Sequence, residues 1–416
     1  MWKDFMISMS RTAVQVSGLF DGERMFDGPA VVLVEDGRIA EVASGTQAPD
    51  GWPTRRHDGT LLPGLIDAHV HLCADSGPGA LDRLADSSTD RLEATIEASL
   101  RTHLAAGVTT VRDLGDQQDA VLRWRNRPTP GLPTVVASGT PITSVGGHCW
   151  PLGGQVRGLT ELREAIRRRA DLGADVIKIM ASGGVLTPGT DTTRAQFTGE
   201  ELREAVAEAH RLGLPITAHA HALEAVRLAL EAGVDGIEHC TCLTSGGVHI
   251  DDELLIALAE SKIAVCATLG SDPGVMVPPE ILAVAARAGI TEAALQEIAS
   301  ALRAGGVRMV AGSDGGIGPA KPHGLLPLTL EEYVRSGWPV EAALTAATSV
   351  AADVCGLAGR KGRIKPGHDA DFLVVRGDPT RDISALLEPV VTYLGGDSVW
   401  QQQGEDLDSV VAGHEQ

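Results

Sequence analysis

The chain has 416 residues, a formal net charge of −20 and 43% hydrophobic residues. This length and apolar content are enough for one large core with a small appended domain. The acidic excess excludes a basic surface for nucleic acid or an anionic membrane, and it leaves a small molecule as the expected partner. The N-terminal residues lack signal-peptide character and the sequence has no run of eighteen apolar residues, so we expect a cytoplasmic protein with six reduced cysteines.

The two ends of the chain carry short apolar segments separated by turn residues. Near the N-terminus, AVQVSGLFDGERMFDGPAVVLVEDGRIAEVA alternates apolar stretches with Asp-Gly and Gly, which is typical of antiparallel hairpins. Near the C-terminus, GRIKPGHDADFLVVRGD and VVTYLGGDSVW have the same character. Neither segment can bury a good core alone. We therefore predict one small β-sandwich built from residues 10–62 and 359–402, followed by a C-terminal tail at 403–416.

The middle of the chain, residues 63–358, alternates strand-like apolar runs with amphipathic helices. One such helix follows Thr198, where Thr198 can cap, Glu201 occupies the capping-box position and Gly213 ends the helix. Eight repeated strand and helix units predict an α/β fold, a TIM (β/α)8 barrel. The predicted strands cover residues 61–72, 107–115, 133–139, 175–183, 215–221, 236–240, 263–269 and 308–316.

Histidines and one aspartate fall at the predicted carboxyl ends of these strands, where barrel enzymes carry their chemistry. His69 and His71 end the first strand, and their i, i+2 spacing directs both rings to one side, where they can grip one metal ion. His219, His239 and Asp314 end the fifth, sixth and eighth strands. A single histidine of this kind is more often a satisfied core residue, but the coincidence of all five predicts a metal site.

A lysine lies inside the fourth predicted strand, in VIKIMASGG. Lysine is rarely buried unless its charge is compensated, so Lys178 requires a partner or a modification. On the residues alone, Lys178 either reaches the barrel rim, pairs with an acid such as Asp175, or belongs to the site.

Taken in order, GLIDAHVHL, VIKIMASGG, TAHAHA, GVDGIEHC, AGSDGG and the closing GRIKPGHDADFLVVRGDP resemble the amidohydrolase superfamily over nearly the whole chain. Within it, the likeness is to the branch related to imidazolonepropionase that contains Xaa-Pro and Xaa-Arg/Lys dipeptidases and ochratoxin-type amide hydrolases. The resemblance implies that Lys178 is carboxylated by CO2 and bridges two divalent metal ions, for which the ligand types suit zinc. By the same resemblance the more buried ion is held by His69, His71, Lys178 and Asp314, and the more exposed ion by Lys178, His219 and His239.

The metal-ligand assignment on the fifth strand is open from spacing alone, because His221 lies two residues after His219. The family pattern selects His219 and leaves His221 for the substrate. Two adjacent cations can present a metal-bridging hydroxide, whose proton Asp314 can accept and pass to the leaving amine. Asp314 can also cap the turn that GSDGG predicts, and the two roles are compatible.

Substrate contacts are predicted on three loops. His148, in the glycine-rich loop after the third strand, can polarise a carbonyl oxygen or bind a carboxylate. Arg194 in the following long loop can clamp a carboxylate, and His323 can line the pocket. The alternative for each is an incidental loop residue in water. Cys240 and Cys242 beside His239 lack a second Cys/His pair and are predicted to be packing residues, not a thiolate zinc site.

Three functions remain open. The first is hydrolysis of an amide bond in a dipeptide or N-acyl amino acid by a binuclear metal site, in a protein expected to be a homo-oligomer as its relatives commonly are. The second is the same site acting on a carbamate, urea, lactone or organophosphate. The third is an inactive barrel that serves as a scaffold or binding protein, against which the intact set of candidate ligands argues. Lys178 also discriminates against a mononuclear deaminase or cyclic-amide hydrolase.

Overall fold

The computed structural model describes residues 10–127, 129–277, 279–287 and 289–402. Its strands are β1 (Arg11–Leu19), β2 (Ala30–Glu35), β3 (Arg38–Ser44), β4 (Thr54–Pro63), β5 (Leu65–Val70), β6 (Val108–Asp113), β7 (Thr134–Ala137), β8 (Thr143–Ser144), β9 (Gln155–Val156), β10 (Ile177–Met180), β11 (Ile216–Ala222), β12 (Gly236–Thr244), β13 (Gly247–Val248), β14 (Ala264–Cys266), β15 (Arg308–Met309), β16 (Phe372–Val375), β17 (Pro389–Leu394) and β18 (Asp397–Gln401). Its α-helices are α1 (Thr89–Ala105), α2 (Ala120–Arg125), α3 (Gly158–Asp171), α4 (Gly199–Arg211), α5 (Leu223–Ala232), α6 (Asp252–Glu260), α7 (Pro279–Arg287), α8 (Glu292–Ala304), α9 (Leu326–Arg335), α10 (Val340–Ala346) and α11 (Ser349–Val354). No helix in these ranges is both long and apolar enough to cross a membrane.

The two ends of the chain share one seven-stranded sheet with the order β18-β17-β16-β4-β1-β2-β3. The junction is the antiparallel pair of β4 and β16, in which Leu62 lies opposite Leu373. The sheet has an apolar cluster of its own, with Val14, Val32 and Tyr393 among its fully buried members. The predicted association of both chain ends in one β-structure is therefore observed. The boundaries drawn between the segments stay a prediction, and the tail at 403–416 lies outside the described residues.

The middle of the chain is mixed α/β, with parallel strands in two groups, and all eight predicted strands are present. One sheet has the order β5-β6-β7, and the other has the path β10-β11-β12-β14-β15. Hydrogen bonds link each sheet to the segment that follows a strand of the other: the amide of Met180 donates to the carbonyl of Ile142, after β7, and the amide of Ala68 donates to the carbonyl of Ala311, after β15. Every residue of β5, β6 and β10 is buried, as expected for strands covered on both faces.

Helix α4 shows how local sequence sets an element boundary. The hydroxyl of Thr198 accepts from the amide of Glu201, and the Glu201 carboxylate accepts from the amide of Thr198, which is the predicted capping box. After the last turn, Gly213 adopts φ of +75°, a conformation that glycine takes at little cost.

The carboxyl ends of the parallel strands place the predicted site residues on one side of the sheets. His69 lies on β5, Lys178 on β10 and His239 on β12. Asp314 follows β15, and its amide donates to the carbonyl of His69 over 2.8 Å. The first and last parallel strands thus meet at the site, although 245 residues separate their two ligands in the sequence.

We predict that Gly64→Ala destabilises the junction between the terminal sheet and β5. A Cβ atom at residue 64 would lie 2.2 Å from side-chain atoms of Thr109, a buried β-branched residue that cannot turn away freely. Overpacking of this kind lowers the free energy of unfolding by about 1–3 kcal/mol, which denaturant titration measures. Gly359→Ala is the matched control, since no atom lies within 4 Å of a Cβ there. Equal stability of the two variants would contradict the prediction.

Candidate active site

Six histidines gather at the ends of the parallel strands and in the loop after β7. Neighbouring rings have centroids 4.5–5.4 Å apart. Each ring has a hydrogen-bond partner on one nitrogen, which fixes its orientation and frees the other nitrogen for a ligand. The six are His69, His71, His148, His219, His221 and His239.

The first candidate metal group contains His69, His71 and Asp314. His69 donates from Nδ1 to a carboxylate oxygen of Glu238 over 2.8 Å, and His71 donates from Nδ1 to the carbonyl of Gly115 over 2.9 Å. In each neutral ring, Nε2 therefore carries a lone pair. These two atoms lie 3.4 Å and 3.2 Å from Oδ1 of Asp314. Three acceptor atoms that converge in this way require a cation or a proton between them, so the donor set fits a metal ion.

The second candidate group contains His219, His221 and His239, whose ligand atoms lie within 4.8 Å of one another. Nε2 of His219 donates to the carbonyl of Gly183 over 3.3 Å, which leaves Nδ1 for an ion. Nδ1 of His239 contacts the hydroxyl of Thr268 over 2.7 Å. Since His221 belongs to the same group, the structure keeps both histidines of β11 as possible ligands, and the selection of His219 stays a prediction.

Lys178 is 2% exposed, and its Nζ atom has no hydrogen-bond partner among the described residues. Asp175 pairs with Arg125 at the surface, so the alternative in which Asp175 compensates the lysine is not observed. The second alternative, a lysine that reaches the rim, is also not observed because the side chain is enclosed. Burial lowers the pKa of Lys178 and thereby favours the neutral amine. The charge of Lys178 in turn helps to lower the pKa of the histidines around it, namely His69, His148, His219, His221 and His239.

Burial keeps these histidines neutral, as metal ligands must be. The pKa values of His69 and His221 are both lowered to about 4, and the largest cause is loss of solvent on burial. The same cause places the pKa of His219 and His239 well below the ordinary value. Burial alone would raise the pKa of Asp314, but His69 and His71 hold it below its ordinary value. At neutral pH these imidazoles are therefore neutral and Asp314 is a carboxylate. Burial alone would lower the pKa of His71, but Asp314, Asp113 and the carbonyl of Gly115 raise it above its ordinary value.

A buried network behind His69 was missed by the sequence analysis. Glu238 is 1% exposed and accepts hydrogen bonds from His69, from Arg112 over 3.0 Å and from the hydroxyl of Thr217 over 2.6 Å. Burial raises the pKa of Glu238, but Arg112 and His69 outweigh it and hold that pKa below the ordinary value. The signal was present in the sequence, because Glu238 and Arg112 are charged residues within apolar strands, as Lys178 is.

A second network supports Asp314. The amide and hydroxyl of Ser313 both donate to Asp67, over 2.9 Å and 2.6 Å. The ammonium group of Lys321 donates to the carbonyls of Ser313 and Thr268, which ties the ends of β15 and β14 together. His239, Thr268 and Asp314 have φ of +69°, +49° and +60°, unfavourable values for residues other than glycine. Strained backbone held by surrounding contacts is a feature of functional sites.

The cysteines close to the site behave as packing residues. Cys240 and Cys242 are fully buried, and the thiol of Cys242 donates to the carbonyl of Cys240. Neither takes part in a candidate metal group within the described ranges. A third group joins His69, Glu238 and Cys266, but Glu238 already accepts three hydrogen bonds and burial raises the pKa of Cys266 well above its ordinary value. That group therefore does not suit a metal ion.

Besides His221, three loop residues were predicted to contact the substrate, and the structure places them in different surroundings. His148 is 7% exposed, and its ring centroid lies 4.5 Å from that of His219. His323 lies beside a cavity of about 490 Å³ along α1, where Nε2 donates to the carbonyl of Ala74 and Nδ1 contacts His103. The side chain of Arg194 is 80% exposed, lies 3.8 Å from Asp191 and lines a surface groove. The substrate roles of all three residues stay predictions.

Comparison with known proteins identifies the family. The Amidohydrolase family model matches residues 60–399. This chain belongs to the amidohydrolase family. Ochratoxinase from Aspergillus niger is 28% identical over 90% of the chain and 82% of its own length, and imidazolonepropionase from Ralstonia nicotianae is 29% identical over 85% of the chain and 88% of its own length. The crystal structure of a Xaa-Pro dipeptidase with bound methionine in the active site superimposes with a TM-score of 0.82 at 26% identity, over 94% of this chain and 100% of that one.

We predict that Glu238→Gln weakens metal binding. A glutamine removes the negative charge that Arg112 and His69 share, and it replaces one acceptor oxygen with an NH2 group that can only donate. Either His69 or Arg112 therefore loses its acceptor, and the orientation of His69 is no longer fixed. Loss of such a partner typically costs about 10- to 100-fold in metal affinity, which competition with a chelator measures. Glu208→Gln is the control, because Glu208 is also buried and pairs with Arg167 and Arg211 but lies on α4. Equal metal affinity in the two variants would remove Glu238 from the site.

Proposed function

We propose that this amidohydrolase is a binuclear metal-dependent hydrolase of the amide bond in a dipeptide or N-acyl amino acid, built on a closed (β/α)8 barrel with a terminal β-sandwich. The observation that carries the proposal is the buried amine of Lys178. Its Nζ atom has no hydrogen-bond partner in the part of the chain that the structure describes, yet its charge acts on histidines and an aspartate that present acceptor atoms. Conversion of the amine to an anion would explain both the burial and the lack of a partner.

The proposed anion is a carbamate. The neutral amine of Lys178 attacks the carbon of CO2, a C–N bond forms and the amine loses one proton to solvent. Its two oxygens, with His69, His71 and Asp314 on one side and His219 and His239 on the other, would hold two divalent cations. Imidazole and carboxylate ligands without a thiolate suit Zn²⁺.

Two bound cations would supply Lewis acidity, which polarises a substrate carbonyl and lowers the pKa of a water molecule. The chain's own residues handle the proton. Oδ1 of Asp314 faces His69 and His71, whereas Oδ2 has no hydrogen-bond partner in the described part of the chain. Oδ2 accepts a proton from the attacking water and returns it to the leaving nitrogen as the carbonyl C–N bond breaks.

An amide substrate is supported by the relatives and by His148. Ochratoxinase and a Xaa-Pro dipeptidase are similar to this chain over most of its length. His148 lies next to His219 and can donate a hydrogen bond to the carbonyl oxygen on which negative charge develops. A carbamate, urea, lactone or organophosphate would use the same water and the same proton acceptor and is the second candidate.

We expect a panel of dipeptides and N-acyl amino acids to contain the hydrolysed substrates. The zinc-loaded enzyme should release amine from members of this panel, and it should act more slowly on matched carbamates, ureas, lactones and phosphotriesters. Asp314→Asn should lose about 10²–10⁴-fold in kcat, the usual contribution of a positioned acid and base. Hydrolysis by the wild-type enzyme only of carbamates, ureas, lactones or phosphotriesters would favour the second candidate, and no turnover of any compound would refute both.

Lys178→Ala should lose one of its bridging ligands and therefore bind less than the full complement of metal. The test is elemental analysis of metal per chain together with turnover. The control is Lys262→Ala, which removes a lysine that lies outside the candidate site. Intact mass under CO2-saturated buffer should show one added CO2 in the wild type and none in Lys178→Ala. Unchanged metal content and turnover in Lys178→Ala would refute the carbamate.

A further inference from the structure

Two loops meet over the second metal group. The loop after β7, residues 138–157, carries His148, and the loop after β10, residues 181–198, covers it. The ring of His148 packs directly against Gly184, where a Cβ atom would lie 2.3 Å from the imidazole. The same covering loop supplies Thr187, whose hydroxyl lies 2.8 Å from Nδ1 of His148. Thr187 thus contacts Nδ1 of His148 and leaves Nε2 for another partner.

We propose that Thr187 is a positioning residue that holds His148 as the Nε2–H tautomer, so that the ring donates a hydrogen bond from Nε2 to the carbonyl oxygen of the substrate. The inference rests on the proposed function and names the group that fixes the carbonyl donor of that site. It follows from the hydrogen bonds that the Thr187 hydroxyl makes.

The decisive contact is the amide of Cys149. This amide donates to Oγ1 of Thr187 over 3.0 Å, and an amide can only donate. The hydroxyl has one hydrogen, and the acceptors beside it are Nδ1 of His148 and the sulfur of Cys149, of which the sulfur is the weaker. Thr187 is 7% exposed, so a hydroxyl hydrogen without an acceptor would be costly. The hydroxyl therefore donates to Nδ1, and the neutral ring carries its proton on Nε2.

The proton on Nε2 has only a weak partner in the protein. Sγ of Cys149 lies 3.5 Å from Nε2, and sulfur is a weak acceptor. A carbonyl oxygen that gains negative charge is a much stronger acceptor and would replace it. The opposite tautomer would direct a lone pair at that oxygen and repel it.

The backbone of His148 is fixed by a separate contact. Its amide donates to Oε1 of Gln196 over 2.6 Å, and Nε2 of Gln196 donates to the carbonyl of Met180 over 2.8 Å. Met180 lies on β10, two residues after Lys178. Gln196 therefore sets the position of His148 relative to the lysine strand, and Thr187 sets which nitrogen carries the proton. The two functions can be tested separately.

The first test compares kcat and KM of three variants on the best amide substrate. Thr187→Val keeps the shape but removes the hydroxyl, and we expect kcat to fall about 10- to 100-fold with little change in KM, somewhat less than removal of a whole oxyanion donor. Thr187→Ser should restore most of kcat. Thr190→Val is the control, because the Thr190 hydroxyl bonds Gly184 and Thr187 backbone atoms within the same loop but does not contact His148. An equal loss in Thr190→Val would mean that loop shape, not the tautomer, matters.

The second test asks whether Thr187 acts through His148. In a His148→Ala background, Thr187→Val should cause no further loss of kcat, since there is no ring left to orient. Independent, multiplicative losses in the double variant would overturn the inference.

The third test does not depend on turnover. Long-range proton–nitrogen NMR spectra distinguish the two tautomers of a neutral imidazole, and the His148 signals are those that disappear in His148→Ala. Wild-type protein should show Nε2–H at His148, and Thr187→Val should show a mixture of tautomers. Nδ1–H in the wild type would overturn the inference even if amides are hydrolysed. Nε2–H in a protein that hydrolyses no amide would instead refute the proposed function and leave the assignment of the tautomer in place.

Discussion

Burial of charge is the constraint on which the rest of this structure depends. The parallel strands enclose five acidic or basic side chains other than histidine, and each must be compensated within the protein. Four are compensated directly, since Arg112 pairs with Glu238, Asp67 accepts from Ser313, and Asp113 accepts from the amides of Leu72 and Gly115. Lys178 has no such direct partner among the described residues, although the charges of Glu238 and Asp314 act on its amine. A lysine buried in an apolar strand needs another source of stabilisation, and metal ions held through a carbamate would supply it.

The partners behind the imidazoles divide the histidines into two classes. His69, His71 and His219 donate to a carboxylate or to carbonyl oxygens, so their tautomers are fixed and the remaining nitrogen is a lone-pair ligand. His148, His221 and His239 instead contact threonine hydroxyls, which can accept or donate. Among these threonines, Thr187 is the one whose hydroxyl also accepts from a backbone amide in the described ranges. Its hydroxyl hydrogen is therefore left to donate to the imidazole. The same residue type is thus suited to a metal ligand on one strand and to a hydrogen-bond donor on a loop, as proposed.

The sequence was sufficient for the strands and for the residues that end them, because strand positions alternate regularly and His69 and His71 had to share a face. The sequence also singled out Lys178 as a buried lysine that needs a partner or a modification, since an uncompensated charge in an apolar strand is conspicuous. Glu238 and Arg112 gave the same signal, but they compensate each other across 126 residues, and sequence spacing does not show such a pair. The surroundings of loop residues were harder to predict, because the direction of a side chain such as Arg194 or His323 depends on turns that local composition does not determine.

The electrostatics of Asp314 favour an amide over a substrate with a better leaving group. His69 and His71 hold the pKa of Asp314 below its ordinary value, so the group enters the reaction as a carboxylate and can accept a proton from water. Once protonated it is a stronger acid than an ordinary carboxyl group, which suits delivery of that proton to a poor leaving group such as an amide nitrogen. A lactone or phosphotriester expels an oxygen that needs less help and would make little use of this acid. The position of one carboxylate between two histidines in the first candidate metal group is therefore consistent with the proposed amide substrate.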